Sequence, residues 1–405
     1  MSTAVESAEP TAGLGLRGWL GAFGSRFVQG EVGSLPVIAG IILIWAVFWF
    51  LNPNFLTARN LTNLVLQLAG VGTISVGIVL VLLLGEIDLS VGAVSGLCAA
   101  VMAVLNVKHG VPAGLAIVGG ALTGTAIGFV QGTWAARLHI PSFVVTLAGL
   151  LAWQGALLLV LGQTGTINLY NPTIDALTGN FFPSTVGWVL AAALIVVYAL
   201  SGLLRRRRRA RAGLRLAPII EFIGAVALIA VLSLAAVFVL NSDRGVPLVL
   251  LILLGFILLF DQVLRRTRFG RYVFAVGGNA EAARRAGINV DAIRIAVFAL
   301  CSTLAACGGI LAASRLLAVN QSSGGNDVLL NSIAGPVIGG TSLFGGRGSV
   351  WTALTGALVI SSISNGMDLL ALASSVKFLV TGGVLLAAVT IDALARRVRQ
   401  TSGRA

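Results

Sequence analysis

The sequence predicts an all-α polytopic membrane protein, and three observations carry that expectation. Of 405 residues, 57% are hydrophobic and 10% charged, against about a quarter charged in soluble chains. The apolar residues fall in runs long enough for a helix rising 1.5 Å per residue to cross about 30 Å of hydrocarbon. The basic residues behind the formal net charge of +13 cluster just outside those runs, at Arg205 to Arg209, Arg265 to Arg271 and Arg396 to Arg399. Such placement marks cytoplasmic loops and accounts for the charge without a nucleic-acid partner.

Residues 1–34 are polar and Gly-rich with Arg17 and Arg26, so a cytoplasmic tail is expected there and no cleavable signal peptide. The first span, Leu35 to Leu51, ends at Asn52-Pro53-Asn54. The second, Leu64 to Leu84, leads into the octet Gly85-Glu86-Ile87-Asp88-Leu89-Ser90-Val91-Gly92, and the third runs from Val91 to Val107. The fourth, Pro112 to Trp134, stops at Arg137-Leu138-His139-Ile140-Pro141, and the fifth covers Ser142 to Leu161. Residues 162–184 are polar with hardly any basic residue, as expected outside the cytoplasm. Span six, Thr185 to Leu204, brings the arginine block inside. Spans seven, Leu216 to Leu240, and eight, Val246 to Leu264, form a hairpin with an outer turn at Asn241 to Arg244.

A basic loop, residues 265–291, follows on the inside, and span nine runs from Ala292 to Ala313. Beyond the outer stretch Asn320 to Asp327, the apolar segment Val328 to Ile338 has roughly 11 residues. That is too short to cross alone, so it is re-entrant or joined to the glycine-rich run beginning at Gly339. Val350 to Asn365 and Ser374 to Ile391 complete about 12 membrane segments. Both termini are then cytoplasmic, with a membrane domain over 35–395 and a C-terminal tail over 396–405.

Cys98, Cys301 and Cys307 sit in apolar stretches without metal-type spacing, and His109 and His139 stand alone. Neither a disulfide framework nor a metal site is expected. The octet is different, because carboxylates deep in lipid are costly and usually face a protein interior or a watery cavity. Glu86 and Asp88 either belong to a polar turn, solvated or capping the next helix at Ser90, or line a path through unwound backbone. The glycine-rich run at Gly339 to Gly348 is a second break of similar design, and paired breaks in two halves point to a binding site between repeats.

The basic loop holds Asn279-Ala280-Glu281-Ala282-Ala283-Arg284-Arg285-Ala286-Gly287. Asn279 suits an N-cap, Glu281 the first turn and Gly287 the stop, which predicts a helix of about two turns. Such a helix needs a partner to pack on, or rests on headgroups through Arg284 and Arg285.

Three motifs resemble those of a known family. Glu281-Ala282-Ala283 with Gly287 resembles the EAA-type coupling loop by which ABC-importer permeases engage their ATPases. The octet resembles the GGIDLSVG signature of ribose- and xylose-type sugar permeases, with Glu86 where a second glycine is commoner. Gly339-Gly340-Thr341-Ser342-Leu343-Phe344-Gly345-Gly346-Arg347-Gly348-Ser349 matches that family's second signature. The extra hairpin over about Thr185 to Leu240 looks more like the xylose-type members.

The resemblance implies a homodimer of this chain in the cell membrane, two ABC ATPase subunits inside and an extracytoplasmic sugar-binding protein outside, moving a monosaccharide. Coupling then falls to Asn279, Glu281, Ala282, Ala283, Arg284 and Gly287. The path falls to Glu86, Asp88, Ser90, Asn331, Thr341 and Ser342, whose polar groups and unwound backbone replace water around a hydroxyl-rich solute. In the alternative, small and hydroxyl residues merely let helices pack closely. The chain lacks the Gly-x-x-x-x-Gly-Lys-Ser/Thr phosphate cradle, and Gly270 to Gly278 is too irregular for a dinucleotide fingerprint, so neither an enzyme nor a cofactor is expected. Two rival functions remain: an ion-coupled secondary transporter using Glu86 or Asp88, or an ABC permease for another small solute such as a branched-chain amino acid.

Overall fold

The structure, a computed structural model, describes residues 35–401 apart from 215 and 217. The expected N-terminal tail and the last four residues of the C-terminal one lie outside the described residues. The chain is helical, as the apolar runs require, with two very short β ribbons. We number the helices α1 (Leu35–Leu51), α2 (Ala58–Leu83), α3 (Val91–Ala103, continued by a π turn, Val104–Lys108), α4 (Ala113–Arg137) and α5 (Ser142–Leu161). Then come β1 (Thr166–Asn168), α6 (Pro172–Gly179), β2 (Phe181–Phe182), α7 (Ser184–Arg211), α8 (Ile219–Asn241), β3 (Val246–Pro247) and α9 (Leu248–Arg266). The last part holds α10 (Arg268–Gly278), α11 (Ala280–Arg285), α12 (Val290–Leu316), β4 (Ala318–Asn320), α13 (Asn326–Ile338), α14 (Trp351–Leu369) and α15 (Ser374–Thr401).

Among the described residues, eight helical segments are long and apolar enough to cross a membrane: α2, α3 with its π turn, α4, α5, α7, α8, α9 and α12. Helices α4, α5, α7, α8 and α9 each start directly after a proline, whose missing N–H costs nothing at a helix start. Helix α2 stops where Gly85 takes φ +76, and Glu86 N then bonds back to Val81 O at 3.2 Å.

Helix α12 is the centre of the bundle, packed by α4, α2 and α3. The α4 face toward it is a glycine ladder: a Cβ on Gly124, Gly128 or Gly132 would lie 2.5, 2.3 or 2.9 Å from α12 backbone. Backbones approach that closely only when the facing residue has no side chain, as in small-residue packing of helices in lipid. The α7–α8 hairpin is peripheral, with 17% and 11% of its spanning windows buried against 78% for α2.

Four features differ from expectation. Helix α7 continues through the arginine block to Arg211, because arginine is a good helix former wherever lipid or water can take its head. The basic loop contains a second helix, α10, capped by Thr267, whose hydroxyl accepts from Gly270 N at 3.2 Å. The polar connection 162–184 contains α6 and is pinned by antiparallel pairs, Thr166 with Asn320 in β1/β4 and Phe181 with Pro247 in β2/β3. Helix α15 also runs past the expected membrane boundary at 395 to Thr401.

Candidate functional site

The three sequence motifs converge at one end of the bundle. The carbonyl of Leu83, the last residue of α2, accepts from Gly346 N at 2.9 Å. Gly277 of α10 lies against the same carbonyl so closely that a Cβ would sit 1.7 Å from it. Gly345, at φ +84, wedges between the two, since its Cβ would lie 2.6 Å from Gly277 O and 2.9 Å from Gly85 N. First signature, second signature and coupling loop are therefore joined backbone to backbone. Any side chain at Gly277 or Gly345 would separate them.

The positive φ of the first turn belongs to Gly85, and Glu86 is not among the residues of positive φ. A carboxylate therefore fits this position without backbone strain. Glu86 Oε1 pairs with Arg294 Nη2 at 3.0 Å, and Ser142 Oγ donates to Oε2 at 2.6 Å. The pair ties the turn to the starts of α12 and α5, with side chains only 18% and 24% exposed. Arg294 Nε is buried and has no hydrogen-bond partner among the described residues.

From Glu86 the chain runs without helix to Ser90. Asp88 is neighboured there by Cys301, which lies about 10 Å beyond Arg294 along α12 at 1.5 Å per residue. Asp88 is 1% exposed, so it is not the solvated turn residue that one reading anticipated. Its Oδ1 accepts from Ser90 N at 2.8 Å and from Ser90 Oγ at 2.7 Å, closing a local turn. Gln131 Nε2 donates to Ser90 Oγ at 3.1 Å. Ser90 stands at the N-cap of α3, but its side chain makes no cap bond. Asp88 Oδ2 is buried without a hydrogen-bond partner among the described residues.

In the second signature, Thr341 is buried and hydrogen-bonded to the Thr352 hydroxyl. Ser342 closes the turn: its N donates to Arg347 O at 3.0 Å and its Oγ accepts from Phe344 N at 3.2 Å. The coupling segment forms the expected short helix, α11. Asn279 Oδ1 accepts from Ala282 N at 2.9 Å, Ala283 is buried, and Gly287 ends the turn at φ +83. Glu281 pairs with Arg285 at 3.2 Å and Arg284 at 3.6 Å, both exposed, and Arg284 also approaches Asp291 at 3.8 Å.

A cavity lies at the other end, between α2, α3, α12, α13 and α14. It holds about 350 Å³ and is walled by Gln67, Asn320, Asp327, Asn331 and Asp368 beside Arg315. Its size suits a small molecule, whose pockets run from about 300 to 1,000 Å³. Arg315 lies about 31 Å from Arg294 along α12. Of the residues singled out for a path, Asn331 lines this cavity, while Glu86, Asp88, Ser90, Thr341 and Ser342 do not. The inner wall forms because residues 322–325 fold inward: a Cβ on Gly96 would lie 2.1 Å from Ser323 O. Gln67 is braced by a buried amide relay, accepting from Asn365 Nδ2 at 3.4 Å while Asn60 Nδ2 donates to Asn365 Oδ1 at 2.8 Å. Sequence reasoning missed Arg294, although a lone cation inside an apolar span was a usable signal. Ser142 and Gln131 carried no such signal.

Comparison with known proteins fits this geometry. The family described as "Branched-chain amino acid transport system / permease component" matches residues 60–389. The chain belongs to that permease family. It is 38% identical over 362 residues to the xylose transport system permease protein XylH of Escherichia coli (strain K12), covering 89% of this chain and 92% of that one. The ribose import permease protein RbsC of the same organism is 32% identical over 356 residues, 88% of this chain and 92% of its own length. The fructose import permease protein FrcC of Rhizobium meliloti is 30% identical over 373 residues, covering 92% and 88%. No solved structure matches the chain. As a permease of this family, the protein is a multi-pass component of the inner membrane and a transport subunit rather than an enzyme.

Proposed function

We propose that this permease forms the translocation path of an ATP-driven importer for a monosaccharide, xylose or a similar pentose or hexose. The carrying observation is that α10, which leads directly into α11, is packed through Gly277 against both glycine-rich signatures. A push on α11 therefore reaches Leu83, Gly85 and Gly345 without passing through a flexible side chain. The names of the xylose, ribose and fructose relatives favour a sugar over a branched-chain amino acid.

On this reading the signature end is cytoplasmic, which also puts the arginines of α7 and the basic residues around α10 on the positive side. The chain has about 12 membrane segments, the eight long apolar helices with α1, α14, α15 and the short α13 joined to its glycine-rich run, and both termini are cytoplasmic. Two ATPase subunits dock on Asn279, Glu281, Ala282, Ala283, Arg284 and Gly287 of a homodimer, and a sugar-binding protein delivers cargo to the cavity end. Sugar enters past Asn331 and leaves past Ser90, Asp88, Glu86, Thr341 and Ser342 as the glycine-rich turns part. The test is uptake in vesicles. Uphill sugar accumulation is expected only with ATPase, binding protein and ATP together. Accumulation by the permease alone under an ion gradient would replace this reading with a secondary transporter, in which Asp88 serves as the ion site.

A further inference from the structure

We propose that the cleft between the end of α7 and the start of α8 binds the phosphodiester headgroup of an anionic membrane lipid. The proposal requires only that the chain spans a bilayer, so it stands apart from the transport reading.

The cleft holds about 450 Å³, with Arg205, Arg208 and Arg209 on its wall and Gly202, Leu216 and Phe222 beneath. Helix α7 remains helical through these arginines, and spacings of three and four residues put them on one face. The floor is a fitted aromatic contact: Phe222 lies so close to Gly202 that a Cβ there would sit 2.3 Å from the ring, and Arg206 lies 5.8 Å above the same ring.

Acidic residues are scarce in this part of the sequence. Glu221 is the only acidic residue between Asp175 and Asp243. Among the described residues, Arg205, Arg208 and Arg209 have no ion pair, whereas Arg265, Arg284, Arg285 and Arg294 each have one. Three guanidiniums on one helix face repel one another unless an anion joins them.

The location selects a lipid as that anion. Just beyond the cleft, α7 exposes Leu200, Leu203 and Leu204, and α8 exposes Ile219, Ile220 and Ile223, so apolar faces suited to acyl chains lead directly into the arginines. A soluble anion has no use for that apolar approach. Basic pockets between membrane helices at the polar boundary are suited to anionic headgroups, and each Lys or Arg near the surface is worth roughly a factor of five in binding.

The experiment compares the full-length protein with the variant R205Q/R208Q/R209Q in nanodiscs of phosphatidylglycerol or phosphatidylcholine. Lipid retained through detergent extraction is read by native mass spectrometry. Wild type is expected to keep phosphatidylglycerol, and the variant to bind it about a hundredfold more weakly. The control R265Q/R266Q/R268Q, with the same charge loss elsewhere, should match wild type. F222A, which keeps every charge but removes the floor, should lose retention several-fold, so the proposal stays testable if the triple variant folds poorly. Equal retention by wild type and both cleft variants would overturn the proposal, as would equal loss in the control. Displacement of the lipid by inorganic phosphate at millimolar concentration would also overturn it, in favour of a soluble-anion site. Retention of a co-purified acidic protein instead of lipid would do the same in favour of a protein partner.

Discussion

The two ends of the bundle are built on opposite principles. At the signature end, Leu83, Gly85, Gly277 and Gly345 touch through backbone atoms, leaving no room for solvent or solute. At the cavity end, the side chains of Gln67, Asn320, Asp327 and Asn331 line about 350 Å³ of space. Backbone contact transmits displacement stiffly, while side chains around a void can re-pair around different contents. One end is therefore organised to be moved as a unit and the other to accommodate.

The contrast can be broken most severely at Gly277. Replacing it with Val places atoms inside the Leu83 carbonyl contact, where nothing can give. A destabilisation above about 3 kcal/mol is expected, beyond the usual cost of overpacking. Gly278, whose Cβ would meet nothing within 4 Å, supplies the internal control: Gly278→Ala should leave the thermal unfolding midpoint nearly unchanged.

Next in size is the Glu86–Arg294 pair. Removing either partner strands the other in a largely buried site, with an expected loss of about 1–2 kcal/mol after allowance for partial exposure. The double variant E86A/R294A should cost less than the sum of the singles, measured as a double-mutant cycle in detergent. Strict additivity would show that the two charges do not interact.

At the cavity end, Asn331→Leu should leave the unfolding free energy within about 0.5 kcal/mol of wild type, as expected for a side chain facing a void. Vesicle uptake should fall several-fold at sub-saturating sugar. An unchanged uptake rate would remove Asn331 from the path and narrow the account to the remaining polar wall. The smallest stability effect is expected at Glu281, whose pairs with Arg284 and Arg285 are exposed, so Glu281→Ala should be near neutral for folding while weakening ATPase docking.

Much of this was legible in the chain. Run lengths located the apolar spans, because crossing a bilayer fixes a minimum helix length, and Asn279 and Gly287 bracketed α11 through cap chemistry. The octet stood out because its carboxylates interrupt apolar sequence. What the sequence withheld was position relative to distant elements. Nothing local says that Glu86 meets Arg294, that Gly277 presses on Leu83, or that Asn331 and Ser342 lie toward different ends. The β ribbons are only two or three residues long, too short for an alternation pattern, and α7 outran its expected end because helix formation does not stop where the hydrocarbon does.

The most direct measurement is ATP-driven sugar uptake by vesicles holding the complete assembly, with E281A/G287V compared against wild type. The variant permease is expected to fold, insert and admit sugar at the cavity end but to accumulate none, with ATPase binding lost. Full uphill uptake by that variant would contradict the claim that motion enters through α11.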